Sequence, residues 1–271
     1  MRAERLTVGL VQINSRHDKL ANLEKIERFV REAAGRGAEV VALPEYATYQ
    51  GPKEALYEVA ENIPGPTTEF YARLAKELGI YLLAGSLLER IESSQQFYNT
   101  STLYDPSGTL IGAYRKIHLF DADVDVSSVY NESEYIRPGT EIVVSPVAGR
   151  IAGMSICYDL RFPELYRALT DRGAEIFFVP ASFTMFTGKD HWELLLRARA
   201  VENQCFVVAP AQIGRYEPNG WAYGRSSIVD PWGNVVAKAS DTEGVTLGTL
   251  DFRILDWVRQ HLPALNHRRL R

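Results

Sequence analysis

The chain has 271 residues, 46% hydrophobic and 24% charged, and its 30 Lys and Arg against 34 Asp and Glu leave a formal net charge of −4. That is enough apolar material for a sizeable core, and with charges of both signs spread along the chain there is no basic stripe to neutralise phosphates, so nucleic acid is not an expected partner. No apolar run approaches the roughly 20 residues that span a bilayer, Met1-Arg-Ala-Glu-Arg5 is too short and polar for a signal peptide, and the two cysteines, Cys157 and Cys205, make neither a disulfide framework nor a zinc site. One domain over 1–271, no membrane association and a reducing, cytoplasmic location are the expectations.

Strand-like and helix-like runs alternate from the start. A strand over 7–12, a helix over 22–34, a buried strand over 40–43, a helix over 67–78 and a strand over 81–88 argue for a layered α/β fold. Between 98 and 116 two strands flank Asp105-Pro-Ser-Gly108, a turn with proline preset for its position and glycine free to take positive φ. Asp230-Pro-Trp-Gly233 repeats the device between 226–229 and 235–238. Hairpins inside such an alternation predict mixed sheets. The segment 117–140, rich in Asp, Ser and Glu, shows no periodicity, and a structureless stretch of that length in a compact domain is usually functional.

A longer repetition divides the chain. Arg36-Gly-Ala-Glu-Val-Val-Ala-Leu-Pro44 recurs 136 residues later as Arg172-Gly-Ala-Glu-Ile-Phe-Phe-Val-Pro180, each time after a helix-like run. Glycine there is a helix stop signal, and the two copies with their paired hairpins predict internal pseudo-twofold symmetry. The copies differ at the next residue, which is Glu45 in the first and Ala181 in the second. The tail from 259 to 271 is basic and follows a helix that Pro263 ends.

Three chemically active residues fall at strand ends: Glu45 after 40–43, Lys116 after 112–115, and Cys157 after 150–156. A cysteine in a tight turn between strand and helix projects into the crevice at the carboxyl end of a sheet, where N–H groups and a helix N-terminus favour the thiolate. Amide hydrolysis needs a nucleophile, a base that becomes the acid for the leaving nitrogen, and a group that holds the oxyanion. These three residues supply one of each. Cys205 opens an apolar strand and reads as core.

Five segments in order, Leu43-Pro-Glu45, Tyr114-Arg-Lys-Ile-His-Leu-Phe120, Cys157-Tyr-Asp-Leu-Arg-Phe-Pro-Glu-Leu165, His191-Trp-Glu-Leu-Leu-Leu-Arg-Ala-Arg-Ala200 and Asp230-Pro-Trp-Gly233, resemble the nitrilase superfamily of carbon–nitrogen hydrolases, and within it the Nit-type amidases. The resemblance implies a four-layer αββα sandwich of two mixed β-sheets. It implies that Glu45 is the general base and acid, Cys157 the nucleophile, and Lys116 with the Tyr158 backbone N–H the oxyanion donors, without cofactor or metal. Glu132, with Glu134 as the other option, matches a second carboxylate that orients the lysine and the amide.

Arg161, four residues past the nucleophile, offers a fork for a substrate carboxylate, and His191 is placed to line the pocket, with His118 as a further polar neighbour. Arg225 stands where relatives usually have histidine. The implied reaction is hydrolysis of a small carboxylate-bearing amide to acid and ammonia through a thioester. Phe162-Pro-Glu-Leu165 and the closing residues 261–269 resemble the branch that acts on deaminated glutathione, the alternatives being nitrile or N-carbamoyl-amide hydrolysis or a silent interaction protein. The partners expected are the amide, water and a second copy of the chain, because the basic tail and the apolar Leu165, Ala168 and Leu169 ask for a packing surface.

Overall fold

The computed structural model describes residues 2–125 and 128–270. In chain order its strands and helices are β1 (Arg5–Gln12), α1 (Lys19–Gly35), β2 (Val40–Ala42), α2 (Leu56–Val59), α3 (Pro66–Leu78), β3 (Tyr81–Leu83), β4 (Leu87–Arg90), β5 (Phe97–Tyr104), β6 (Leu110–Arg115), β7 (Asp121–Asp125), β8 (Ser128–Asn131), β9 (Val144–Val147), β10 (Arg150–Met154), α4 (Pro163–Asp171), β11 (Ile176–Phe178), α5 (Met185–Asn203), β12 (Phe206–Ala209), β13 (Ile213–Tyr216), β14 (Gly220–Tyr223), β15 (Ser227–Val229), β16 (Val235–Lys238), β17 (Gly244–Asp251) and α6 (Phe252–His261). Local chemistry sets the helix ends. Asp18 caps α1 by accepting the Ala21 N–H at 3.0 Å, and Pro66 opens α3 while Gly79, at φ +65, closes it.

Two sheets form. One runs β17-β1-β2-β3-β5-β4 with β6 paired to β5, the other β16-β15-β12-β11-β10-β9. The centres, β1-β2-β3 and β10-β11-β12, are parallel, while β5-β6 and β15-β16 are antiparallel hairpins, so both sheets are mixed. Side chains alternate across each strand. Val8, Leu10, Val40 and Ala42 from the first sheet share one buried core with Met154, Ile176, Phe178 and Val208 from the second. The other face of the first sheet, with Val11, Val41 and Leu82, packs on Ile26, Val30 and Ala33 of α1 and Leu74 of α3. On the second, Tyr166 of α4 meets Phe177 edge-on, ring centroids 5.1 Å apart. The result is a four-layer αββα sandwich.

The internal repeat is visible in the packing. Gly37 and Gly173, which follow the last residues of α1 and α4, sit at φ +89 and +88, the left-handed region glycine enters without penalty. Gly9 of β1 lies opposite Val41, and Gly153 of β10 opposite Phe177. A Cβ on Gly9 would stand 2.9 Å from the Ala33 Cβ of α1, and one on Gly153 would stand 3.0 Å from Leu169 of α4. Each half thus uses a glycine to bring its helix onto its sheet.

The structure corrects the sequence reading at three places. The strand expected over 81–88 is two strands, broken where Gly85 turns to φ +67 and approaches Pro44 so closely that a Cβ would lie 2.0 Å from the Pro44 carbonyl oxygen. The segment 117–140 is not structureless, since β7 and β8 pair as a hairpin followed by a 3-10 turn at Glu132–Glu134. On α4, Leu165 and Leu169 are buried in the core of their own chain, which removes that reason for expecting a partner. The segment from 259 begins inside α6 and folds back. Arg259 donates to the carbonyl oxygens of Gln204 (3.1 Å) and Ala174 (3.0 Å), and Arg268 pairs with Asp171. Among the described residues no helix is long and apolar enough to cross a membrane.

Candidate active site

β2 ends at Ala42, Leu43-Pro44 follow, and the chain then turns at Tyr46, whose φ is +53 and whose N–H donates to Ser86 Oγ at 2.9 Å. That turn drops the Glu45 side chain between the sheets, where it is 1% exposed. Its two oxygens have different partners. Oε2 accepts the Ser182 N–H at 2.8 Å, and Oε1 accepts from Asn99 Nδ2 at 3.0 Å and Lys116 Nζ at 2.9 Å. Lys116 follows β6 directly, its N–H bonded to the Asn99 carbonyl oxygen at 2.9 Å. Its ammonium is 2.8 and 3.0 Å from the two oxygens of Glu132. Glu132 accepts in addition from Tyr46 Oη at 2.8 Å and from the Phe120 N–H at 2.7 Å.

The nucleophile candidate closes this group. Cys157 lies three residues beyond β10, at φ +46, with its N–H donated to the Pro180 carbonyl oxygen at 3.0 Å. A non-glycine residue in that region is held there by its surroundings. Cys157 opens a 3-10 turn, Cys157–Arg161, and α4 begins only at Pro163. The helix N-terminus expected to favour a thiolate is therefore not at Cys157. Burial pushes the Cys157 thiol well above its usual pKa and the adjacent Glu45 carboxylate adds to this, with Lys116 opposing. For Lys116, burial acts to lower the pKa, but Glu132 and Glu45 outweigh it and hold the ammonium well above its ordinary range. The upward shift of Cys157 favours the neutral thiol over the thiolate.

A cavity of about 670 Å³ opens above Cys157, Glu45, Lys116 and Glu132, walled by Tyr46, Tyr49, Tyr130, Tyr135 and Tyr216 and by Phe120. Its volume lies in the range of small-molecule pockets. Of the expected site residues, Glu45, Lys116, Cys157 and Glu132 come together. Glu134 is exposed and pairs with Lys53 at 2.6 Å. Arg161 and His191 meet each other, at 3.3 Å, rather than the cavity, and the Arg161 guanidinium lies 5.0 Å from the Phe183 ring centroid. The Tyr158 ring packs on Phe120 and Phe162, while its N–H sits in the first turn of the 3-10 segment, where backbone donors lack a partner within the segment. Arg225 pairs with Asp241 at 2.6 Å, and Cys205 is wholly buried, its thiol pushed up to about 11 by that burial.

Sequence reasoning missed Asn99, Tyr46 and Ser182. Asn99 had a signal, since the run Asn99-Thr-Ser-Thr102 is polar yet lies in an otherwise apolar strand pattern. Ser182 had none, because it acts through its backbone N–H. Among the described residues no group of three or more His, Cys, Asp or Glu is placed to hold a metal ion.

The sequence profile of the carbon–nitrogen hydrolases matches residues 7–259. The chain is 42% identical to the deaminated glutathione amidase of Homo sapiens over 269 residues, covering 97% of this chain and 82% of that one. It is 41% identical to Omega-amidase NIT2-B of Xenopus laevis over 264 residues, covering 97% and 94%. The structure of Nit3 from Saccharomyces cerevisiae, a member of branch 10 of the nitrilase superfamily, superposes with a TM-score of 0.89 at 32% identity, covering 99% of this chain and 98% of that one. The chain belongs to the carbon–nitrogen hydrolase family of the nitrilase superfamily. It is an enzyme of the amidase class.

Proposed function

We propose that the chain hydrolyses an ω-amide of an α-keto acid, with deaminated glutathione as the preferred substrate, through a thioester on Cys157. The observation that carries the mechanism is that Glu45, Lys116 and Cys157 line one cavity together, with the Lys116 ammonium 2.9 Å from Glu45 Oε1. Glu45 accepts the thiol proton as sulfur attacks the amide carbon, and the carbonyl oxygen becomes an oxyanion. Lys116 has three N–H donors. With one on Glu45 and one shared between the Glu132 oxygens, the third is free for the oxyanion, beside the Tyr158 N–H. Collapse breaks the C–N bond and Glu45 returns the proton to the departing nitrogen. Glu45 then takes a proton from water as it attacks the thioester, releasing the acid and regenerating the thiol.

The leaving group depends on the substrate. A primary ω-amide releases ammonia, whereas deaminated glutathione is a secondary amide and releases cysteinylglycine. The choice between them rests on the resemblance of residues 162–165 and 261–269 to the deaminated glutathione branch, since the identities, 42% and 41%, do not separate the two. Besides Lys116, the cation among the described residues that line the cavity is Lys53 at its rim, and it meets the substrate's acid end by exchanging its present partner, Glu134. Lys116→Ala is expected to lower kcat by about 10²–10³, the usual cost of removing an oxyanion donor, and an effect confined to KM would make it a binding residue instead. Product release measured over deaminated glutathione, α-ketoglutaramate, carbamoyl compounds, aliphatic amides and nitriles tests the substrate. A neutral amide or a nitrile as the best substrate overturns the reading. Assembly into at least a homodimer is part of the proposal, with sedimentation as its check.

A further inference from the structure

The group beneath the nucleophile turn has no part in the proton transfers between Cys157, Glu45 and the substrate. Asp159, wholly buried, accepts four hydrogen bonds. Oδ1 takes the His118 N–H at 3.0 Å and lies 2.7 Å from His118 Nδ1. Oδ2 takes the Tyr114 hydroxyl at 2.7 Å and the Ile156 N–H at 2.9 Å. In return the Asp159 N–H donates to the Ile156 carbonyl oxygen at 3.0 Å. The His118 ring is stacked on Phe162, centroids 3.7 Å apart and 6° from parallel, so the imidazole is fixed by the turn on one side and by the carboxylate on the other.

The sequence positions give this group its meaning. Tyr114 and His118 stand two residues before and two residues after Lys116, while Ile156 and Asp159 bracket Cys157. One carboxylate therefore binds the strand end that carries the lysine to the turn that carries the thiol. The Cys157 backbone, at φ +46, is the kind of conformation that persists only when neighbouring contacts over-determine it. Burial, with Asp159 adding to it, holds the Tyr114 phenol well above its usual pKa, so it stays a donor.

We infer that Asp159, with Tyr114 and His118, is a positioning device that sets the Cys157 thiol in register with Lys116 and Glu45, rather than a general prop of the fold. It rests on the assignment of Cys157 as nucleophile and Lys116 as oxyanion donor. Misplacing a reacting group by about 1 Å costs on the order of 100-fold in rate, so the device acts on kcat.

The test compares two buried hydroxyls. Tyr114→Phe removes a donor to Asp159, whereas Tyr166→Phe removes the hydroxyl 2.9 Å from Ser155 Oγ, on the α4 side of the same turn, whose hydrogen bond is to that serine and not to Asp159. Both variants should lose a similar amount of thermal stability. Tyr114→Phe should lower kcat about tenfold with KM within about twofold, and slow alkylation of Cys157 by iodoacetamide by a similar factor; Tyr166→Phe should leave both rates within about twofold. Asp159→Asn, whose amide nitrogen cannot accept, should lower kcat by about 100-fold, and Asp159→Glu should recover part of it. Equal effects of the two tyrosine variants on kcat and on alkylation overturn the inference, as does a folded Asp159→Asn with normal kcat. Alkylation reads the setting of the thiol whether or not the thiol turns over substrate, so failure of the covalent mechanism, seen as turnover by Cys157→Ala, is a separate result.

Discussion

Leu43-Pro44 and Val179-Pro180 end equivalent strands in the two halves, yet only the first is followed by an acid. Glu45 reaches into the space between the sheets, while at the second position Ala181 is followed by Ser182, whose N–H is the donor that Glu45 Oε2 accepts. Pro180 in turn accepts the N–H of Cys157. One copy of the repeat supplies a side chain and the other supplies backbone groups that hold it. Duplicated scaffold gives the frame, and the chemistry sits where the copies stop matching.

The sharpest break of this comparison lies in the second half. Cys157→Ala should reduce turnover to below about 10⁻⁴ of the parent, while Cys205→Ala, in the core of the same half, should keep most activity and lose some stability. Ammonia or amine release by purified Cys157→Ala would end the covalent mechanism. The next break exchanges the two strand ends. Glu45→Gln should lower kcat by about 10³, and Ala181→Glu should destabilise the fold by more than about 3 kcal/mol, because it buries a carboxylate with no lysine beside it. A denaturant midpoint for Ala181→Glu equal to that of the parent would show that the halves are not as different as their partners imply.

A smaller effect appears in alkaline solution. The Cys157 thiol and the Lys116 ammonium are both held above their usual pKa values, by burial and Glu45 for the thiol and by Glu132 and Glu45 against burial for the ammonium. A group whose pKa is raised on folding contributes its full stability below the unfolded value and loses it as pH rises through the folded one. Tm should therefore hold between neutrality and about pH 8.5, the ordinary thiol value, and fall above it, with Cys157→Ala removing part of the fall. A Cys157→Ala curve parallel to the parent's at every pH would contradict the assigned shift. The smallest effect is expected from Arg161→Ala, since the guanidinium lies on Phe183 and His191 and outside the cavity wall. It should change kcat/KM for acid and neutral amides alike by less than about threefold, whereas Lys53→Ala should raise KM for the acid substrate alone. Loss of acid selectivity in Arg161→Ala would return the carboxylate to the place that the sequence spacing suggested.

What the sequence disclosed and what it hid divide along physical lines. Alternating strand and helix patterns, the Asp-Pro-x-Gly turns and the doubled Arg-Gly-Ala-Glu run made the layers and the pseudo-symmetry legible, because each depends on residues close together in the chain. Glu45, Lys116 and Cys157 were legible as strand-end residues of three matching chemical types. The break at Gly85 was not, because it answers to the Pro44 carbonyl 41 residues earlier. The direction of Arg161 was not legible for the same reason, since four residues from Cys157 in sequence says little about where a side chain points once a 3-10 turn intervenes. The protonation of the thiol depends on which charges surround it in space, and no spacing rule carries that.

The ion cluster at the cavity floor also acts as a ruler. One ammonium lies between two acidic side chains, so whenever both are ionised the cluster carries an excess of one negative charge next to the reacting carbon. At an effective dielectric constant of about 20, a second negative charge costs about 3 kcal/mol at ~5 Å and about half that at ~10 Å. On the proposed reading, a substrate with an acid group would be selected for the number of bonds between that group and its amide: short half-amides would be repelled as they reach sulfur, and longer ones would keep their charge out at the rim. Glu45, which also raises the pKa of the thiol, would on that reading join Glu132 in setting a minimum length for the substrate.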